Sequence, residues 1–137
     1  MIVLDSSILV GIIKLEADCA PLIDLLDGEQ CTIGAPTLVE TRAWCAMNMT
    51  GRISRWLEAY VDGEGVSVVP FSRQMADVAS RAFLAYGRAS GHPAKLNFGD
   101  CMAYAVSAAM RAPLLFKGGD FPRTDVLAHP ASIRAQK

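Results

Sequence analysis

No apolar run in these 137 residues approaches the roughly 18–20 that a membrane span needs. The opening Met1-Ile2-Val3-Leu4-Asp5 meets a carboxylate at once and lacks the basic stretch of a secretory leader. A soluble, cytoplasmic protein without membrane association is therefore expected. Cysteine is sparse and wrongly spaced for metal: Cys19, Cys31, Cys45 and Cys101 form no Cys-x-x-Cys pair, and neither His92 nor His129 stands beside one. Zinc is excluded on that ground, and in a core-rich cytoplasmic chain the four are expected as buried free thiols rather than two disulfides. A P-loop, a dinucleotide-binding glycine fingerprint and a Ser-His-Asp order are all missing, which removes the common nucleotide folds and serine hydrolases. Aromatic residues make up only 7% of the chain and form no visible platform for stacking bases.

What is present is an apolar majority. Hydrophobic residues reach 52%, charged ones 20%, and the mean hydropathy is +0.28. That suits one globular domain spanning residues 1–137, its last ten or so expected as a frayed tail. The net charge of −1 hides a strong asymmetry. Residues 1–41 carry seven acidic side chains against Lys14 alone, a net of −6, whereas residues 65–137 carry nine basic and four acidic ones, a net of +5. Such a division suits either ordinary solvated faces or a nucleic-acid face opposite a site for a basic partner.

Short strand-sized runs alternate with helical spacings. Ile2–Leu4, Cys31–Ile33, Val66–Val69 and Pro113–Phe116 read as strands. Helices are expected near 7–13, 18–27, 38–47, 52–62, 75–86 and 98–111. The best of them carries Met75, Val78, Ala79, Ala82, Phe83 and Tyr86 on one stripe. The segment from Gly91 to Leu96 reads as a loop. Strand–helix alternation implies right-handed crossovers, hence an α/β fold: one doubly wound parallel sheet of four or five strands with helices on both faces.

In such a sheet, sites form outside the carboxyl ends of the strands. Four carboxylates map there. Asp5 follows the first strand, Glu40 begins the helix after the second, Asp100 begins the helix after the Gly91–Leu96 loop, and Asp120 lies in the Gly118-Gly119-Asp120 turn after the last strand. Each has a local structural explanation. Asp5 can cap its own helix, as can Ser6 or Ser7; Thr37-x-x-Glu40 and Asn97-x-x-Asp100 both read as capping boxes; Asp120 suits a turn. Their convergence from separate segments says more, because clustered carboxylates stay ionised only when compensated, and a hard cation such as Mg²⁺ or Mn²⁺ does this.

These residues carry a family resemblance. The chain resembles a PIN-domain ribonuclease of the VapC toxin type. Met1–Ser7 is similar to that family's opening, Thr37-Leu38-Val39-Glu40 to its second acidic motif, and His92–Cys101 to its third. Leu114–Phe121, with Thr124-Asp125-Val126 behind it, is similar to its fourth. The stiff entry Gly34-Ala35-Pro36 departs from the family's usual small residues, and Arg88–Gly91 is less basic than in many relatives. The resemblance implies a PIN-like fold and a Mg²⁺-dependent endoribonuclease, with Mn²⁺ able to substitute, in which metal-activated water cleaves RNA. It implies Asp5, Glu40, Asp100 and Asp120 as catalytic and metal residues, Asp5 and Asp100 as direct ligands, and Ser7 in support. Asn97 and Asp125 are further supporting candidates, and His92 is expected to be structural. It further implies a homodimer held in check by a small cognate antitoxin. Arg42, Lys95 and Lys117 are the nearest cations in sequence to the proposed edge and are candidates for RNA phosphates. Two alternatives stand beside this reading: a catalytically silent PIN-like module that binds RNA or protein, and a phosphoacceptor receiver domain, which would want a paired acid where Ser6 and Ser7 stand.

Overall fold

Ile2–Leu4 forms β1, and all three residues are buried, as a strand covered on both faces requires. In the computed structural model, which describes residues 1–134, the chain continues through α1 (Ser6–Ile13), α2 (Leu22–Gly28), β2 (Cys31–Gly34), α3 (Ala35–Asn48) and α4 (Arg55–Val61). It then forms β3 (Val66–Val69), α5 (Arg73–Tyr86), α6 (Phe98–Met110), β4 (Leu114–Leu115), β5 (Lys117–Gly118) and β6 (Ile133–Arg134). The main sheet has the order β3-β2-β1-β4 and is parallel throughout. Strand order runs outward from β1 through β2 to β3 and then reverses to β4. The switch point therefore lies at the carboxyl ends of β1 and β4.

Strand alternation divides the interior. Ile2, Leu4 and Leu115 join Ile8, Leu9, Leu26 and Leu57 beneath α1, α2 and α4. Val3, Leu114 and Phe116 join Met75, Ala82, Leu96 and Val106 beneath α5 and α6. Of the stripe expected on α5, Met75, Ala79 and Ala82 are buried and Val78 and Tyr86 pack against that core, whereas Phe83 is left exposed. All four cysteines are buried free thiols, as expected.

Helix starts follow their caps. Ser54 and Ser72 accept from the backbone N–H groups of Leu57 and Met75 at the heads of α4 and α5. Asn97 and Asp100 close the expected capping box on α6. Of the caps offered for α1, Asp5 takes the position and Ser6 and Ser7 do not. One expectation is corrected. No capping box forms at Thr37, because α3 starts at Ala35 with Gly34 at its cap and Pro36 in its first turn. Proline's fixed φ suits the opening of a helix, so the chain enters the helical region before Thr37. Glu40 thus stands in the second turn, released from capping duty.

The chain end also differs from expectation. Over residues 128–134 it is not frayed: Ala128 bridges to Leu114, and β6 pairs in parallel with β5. The backbone groups of Leu114 and Phe116 left open by the short β4 are the reason, and Leu114 O and Phe116 O accept from His129 N and Ile133 N, each at 2.9 Å. Residues 135–137 lie outside the described residues.

Candidate active site

Asp5 sits where β1 gives way to α1, at the switch point, and is 3% exposed. Its Oδ2 accepts from the backbone N–H of Ser7 at 3.1 Å and from the Ser7 hydroxyl at 2.5 Å. The same hydroxyl accepts from the Lys117 N–H at 2.9 Å and so ties the site to β5. Asp5 Oδ1 is buried without a hydrogen-bond partner. A carboxylate oxygen in that state is costly unless a cation meets it, and burial pushes the pKa of Asp5 above its ordinary value against the Ser7 and Ser6 hydrogen bonds that lower it.

The other acids gather toward it. The Asp100 carboxyl is pushed up to about 7, first by burial, and then by the negative charges of Asp5, Asp120 and Glu40, against an opposing hydrogen bond from the Asn97 N–H. Its Oδ2 takes that bond at 3.0 Å, which fixes the carboxylate at the head of α6. Glu40 is raised too, by burial and by Asp5, with the Ser6 hydroxyl opposing. Asp120 is the exposed member, in the turn before the single helical turn Phe121–Arg123. Among the described residues, no three His, Cys, Asp or Glu side chains are drawn tightly enough to ligate one ion together. An all-oxygen donor set would suit a hard cation, and Mg²⁺ commonly takes one or two carboxylates directly while keeping several waters. The orphaned Asp5 Oδ1 fits that role.

Other expected residues fall outside this group. Arg42 is paired with Glu58 on α4, Nη2 to Oε1 at 2.6 Å. Lys117 is clamped by Asp18 at 2.9 Å and Glu16 at 3.3 Å. Both cations are thus compensated within the chain. Lys95 is exposed on the loop before α6, at a left-handed φ of 50°, and makes no ion pair among the described residues. Asp125 accepts from the Tyr104 hydroxyl at 2.7 Å, which makes it an anchor for the C-terminal segment. His92 Nδ1 accepts from the Ala94 N–H at 3.0 Å while its ring meets Tyr86 edge-on, the structural part expected of it. Sequence reasoning missed Glu16 and Asp18, whose acidity offered no hint that they would close on Lys117. It also missed Gly99, against which Glu40 packs. A glycine one residue before an acid in the first turn of a helix was the available signal.

The raised carboxyls have a consequence for stability. Between the ordinary carboxyl value of 3.8 and about 7, the folded chain holds a proton on Asp100 that the unfolded chain has released. Stability in that window falls as pH rises, and Asp5 and Glu40 act in the same direction. The metal-free protein is expected to melt several degrees lower at about pH 7.5 than at about pH 5, with Asp100→Asn flattening the difference. Thermal melts in EDTA check this; a melting point that rises across the interval contradicts it.

A parallel α/β sheet with acidic side chains gathered near its switch point is the class of fold seen here, and comparison with known proteins gives the family. The PIN domain family model matches residues 2–127, and the chain belongs to that family. Within it, the chain is similar to Ribonuclease VapC42 of Mycobacterium tuberculosis, at 36% identity over 90% of this chain and 95% of the relative. Among solved structures, FitAcB from Neisseria gonorrhoeae superposes with a TM-score of 0.67 at 17% identity, covering 96% of this chain and 98% of that one. A toxin–antitoxin complex from Klebsiella pneumoniae gives 0.61 at 16% identity and 84% of both chains. The α/β fold read from the sequence is the fold of these proteins.

Proposed function

We propose that this chain is a Mg²⁺-dependent endoribonuclease that serves as the toxin of a type II toxin–antitoxin pair, acting in the cytoplasm as a homodimer. The observation that carries this reading is the buried, unpartnered Asp5 Oδ1 at the switch point, with Asp5, Glu40 and Asp120 all close enough to Asp100 to help raise its affinity for protons. The relatives named ribonuclease VapC supply the substrate class, RNA. Asp5 and Asp100 would hold the ion directly, and Glu40 and Asp120 through water or at a second ion, Mn²⁺ substituting for Mg²⁺. Such a cation supplies an acidified water and charge stabilisation on the phosphodiester. Ser7 holds the Asp5 carboxylate through Oδ2 and leaves the buried Oδ1 free for the ion. Asn97 holds Asp100 by its backbone N–H. Lys95, exposed on its loop, would meet phosphate without reading sequence, while Arg42 and Lys117 would reach RNA only by giving up their carboxylate partners.

The acidic N-terminal third suits a basic antitoxin segment, steered there electrostatically and able to set a cationic side chain among the four carboxylates. Expression alone should arrest growth, and expression with the adjacent small reading frame should not. Arrest that is equal in both cases, or cleavage of single-stranded RNA undiminished by EDTA, contradicts the reading. With catalysis disabled, RNA affinity should fall steeply with salt, and Lys95→Ala should lower the salt slope by up to about one while Arg42→Ala lowers it less. Filter binding across a salt series measures both.

A further inference from the structure

Gly99 lies in the first turn of α6, between Phe98 and Asp100, and its backbone is not in the left-handed region that would require glycine. In an ordinary helical position alanine is the better residue, since glycine there gives up conformational entropy for no contact. Space explains the glycine. A Cβ at residue 99 would stand 2.6 Å from Cδ and 2.8 Å from Oε1 of Glu40, closer than the 3.0 Å below which real Cβ contacts essentially never fall. The Glu40 carboxylate is seated in the place where a side chain at 99 would be. From the second turn of α3 it reaches across to α6, beside Asn97, whose N–H orients Asp100. On its other side lies an open groove of about 520 Å³ bordered by Pro36, Val39, Phe98 and Met102.

We infer that Gly99 is a positioning residue: the missing side chain is a socket that sets the Glu40 carboxylate against the head of α6, toward Asp5 and Asp100. This rests on the reading of the four carboxylates as a cation site. Because the obstructed atoms are the far end of a flexible side chain with a groove beside it, Gly99→Ala would displace the carboxylate rather than break the fold.

The expected result has opposite signs in stability and function. Gly99→Ala should melt at or above the wild-type temperature without metal. It should bind Mn²⁺ about tenfold more weakly by titration calorimetry, and cleave RNA about 10- to 100-fold more slowly in kcat with KM little changed, as is typical when a support of a metal ligand is lost. In a Glu40→Ala background the same change should add nothing to either loss, because the two act through one group. If Glu40→Ala weakens Mn²⁺ binding and cleavage while Gly99→Ala leaves both untouched, the socket is refuted and the cation site stands. The socket is equally refuted if Gly99→Ala costs as much without Glu40 as with it. If Glu40→Ala itself changes neither Mn²⁺ affinity nor rate, Glu40 is no part of the site, and the parent reading of that residue falls together with the socket.

Discussion

Asp5→Asn is expected to lower RNA cleavage by about a thousandfold, or about 4 kcal/mol in the barrier, without unfolding the protein. Asparagine is as good a helix cap as aspartate, and its side-chain oxygen can keep the bond from the Ser7 N–H that starts α1. What disappears is the charge. A buried carboxylate whose second oxygen has no protein partner is destabilising until a cation arrives, so the substitution also removes a burden from the metal-free fold. Three measurements follow. Cleavage should be nearly lost, the metal-free melting temperature should be unchanged or higher, and added Mg²⁺, expected to raise the melting temperature of the wild type, should not raise that of the variant. A variant that cleaves normally refutes the metal-nuclease reading. A variant that fails to fold would show that Asp5 acts chiefly as a cap.

The largest expected effect on stability lies elsewhere. Phe116 is fully buried at the end of β4, its ring tilted against Phe121 with centroids 5.1 Å apart. Its carbonyl and N–H bind Ile133 and Ser132, so the residue locks the returning C-terminal segment to the sheet. Phe116→Ala should cost about 3–5 kcal/mol, a large share of the roughly 5–15 kcal/mol that holds a domain together. Guanidinium unfolding should show a midpoint shift with little change in slope. Below its melting point the variant should retain its carboxylates and hence measurable cleavage. A shift smaller than about 1 kcal/mol would mean that the ring is not the wedge its burial implies.

The two variants separate what the carboxylates do from what the core does, and the same separation governs what could be read in advance. Local chemistry was legible. An apolar triplet ended by Asp5, the valine-rich Val66–Val69, the stripe on α5 and the Asn97–Asp100 box each depend on residues a few positions apart, and the structure shows them as read except for Phe83, which the α5 stripe leaves exposed. Parallel order at the carboxyl edge followed from strand–helix alternation, because a crossover has one favoured hand. Even the misplaced start of α3 was local: Pro36 outweighed the capping signal at Thr37.

Element order, apolar faces and the edge near which Asp5, Glu40, Asp100 and Asp120 lie were thus written into the residues themselves. Tertiary structure alone decided which groups answer one another across that edge. Lys117 meets Asp18 from 99 residues away and gives its N–H to Ser7 from 110 away. Arg42 turns to Glu58, Tyr104 captures Asp125, and Glu40 occupies the vacancy at Gly99. The physical reason is range. Caps and periodicities act within a turn or two of the chain, whereas charge compensation and steric fit depend on atoms that only the folded sheet brings within a few ångströms.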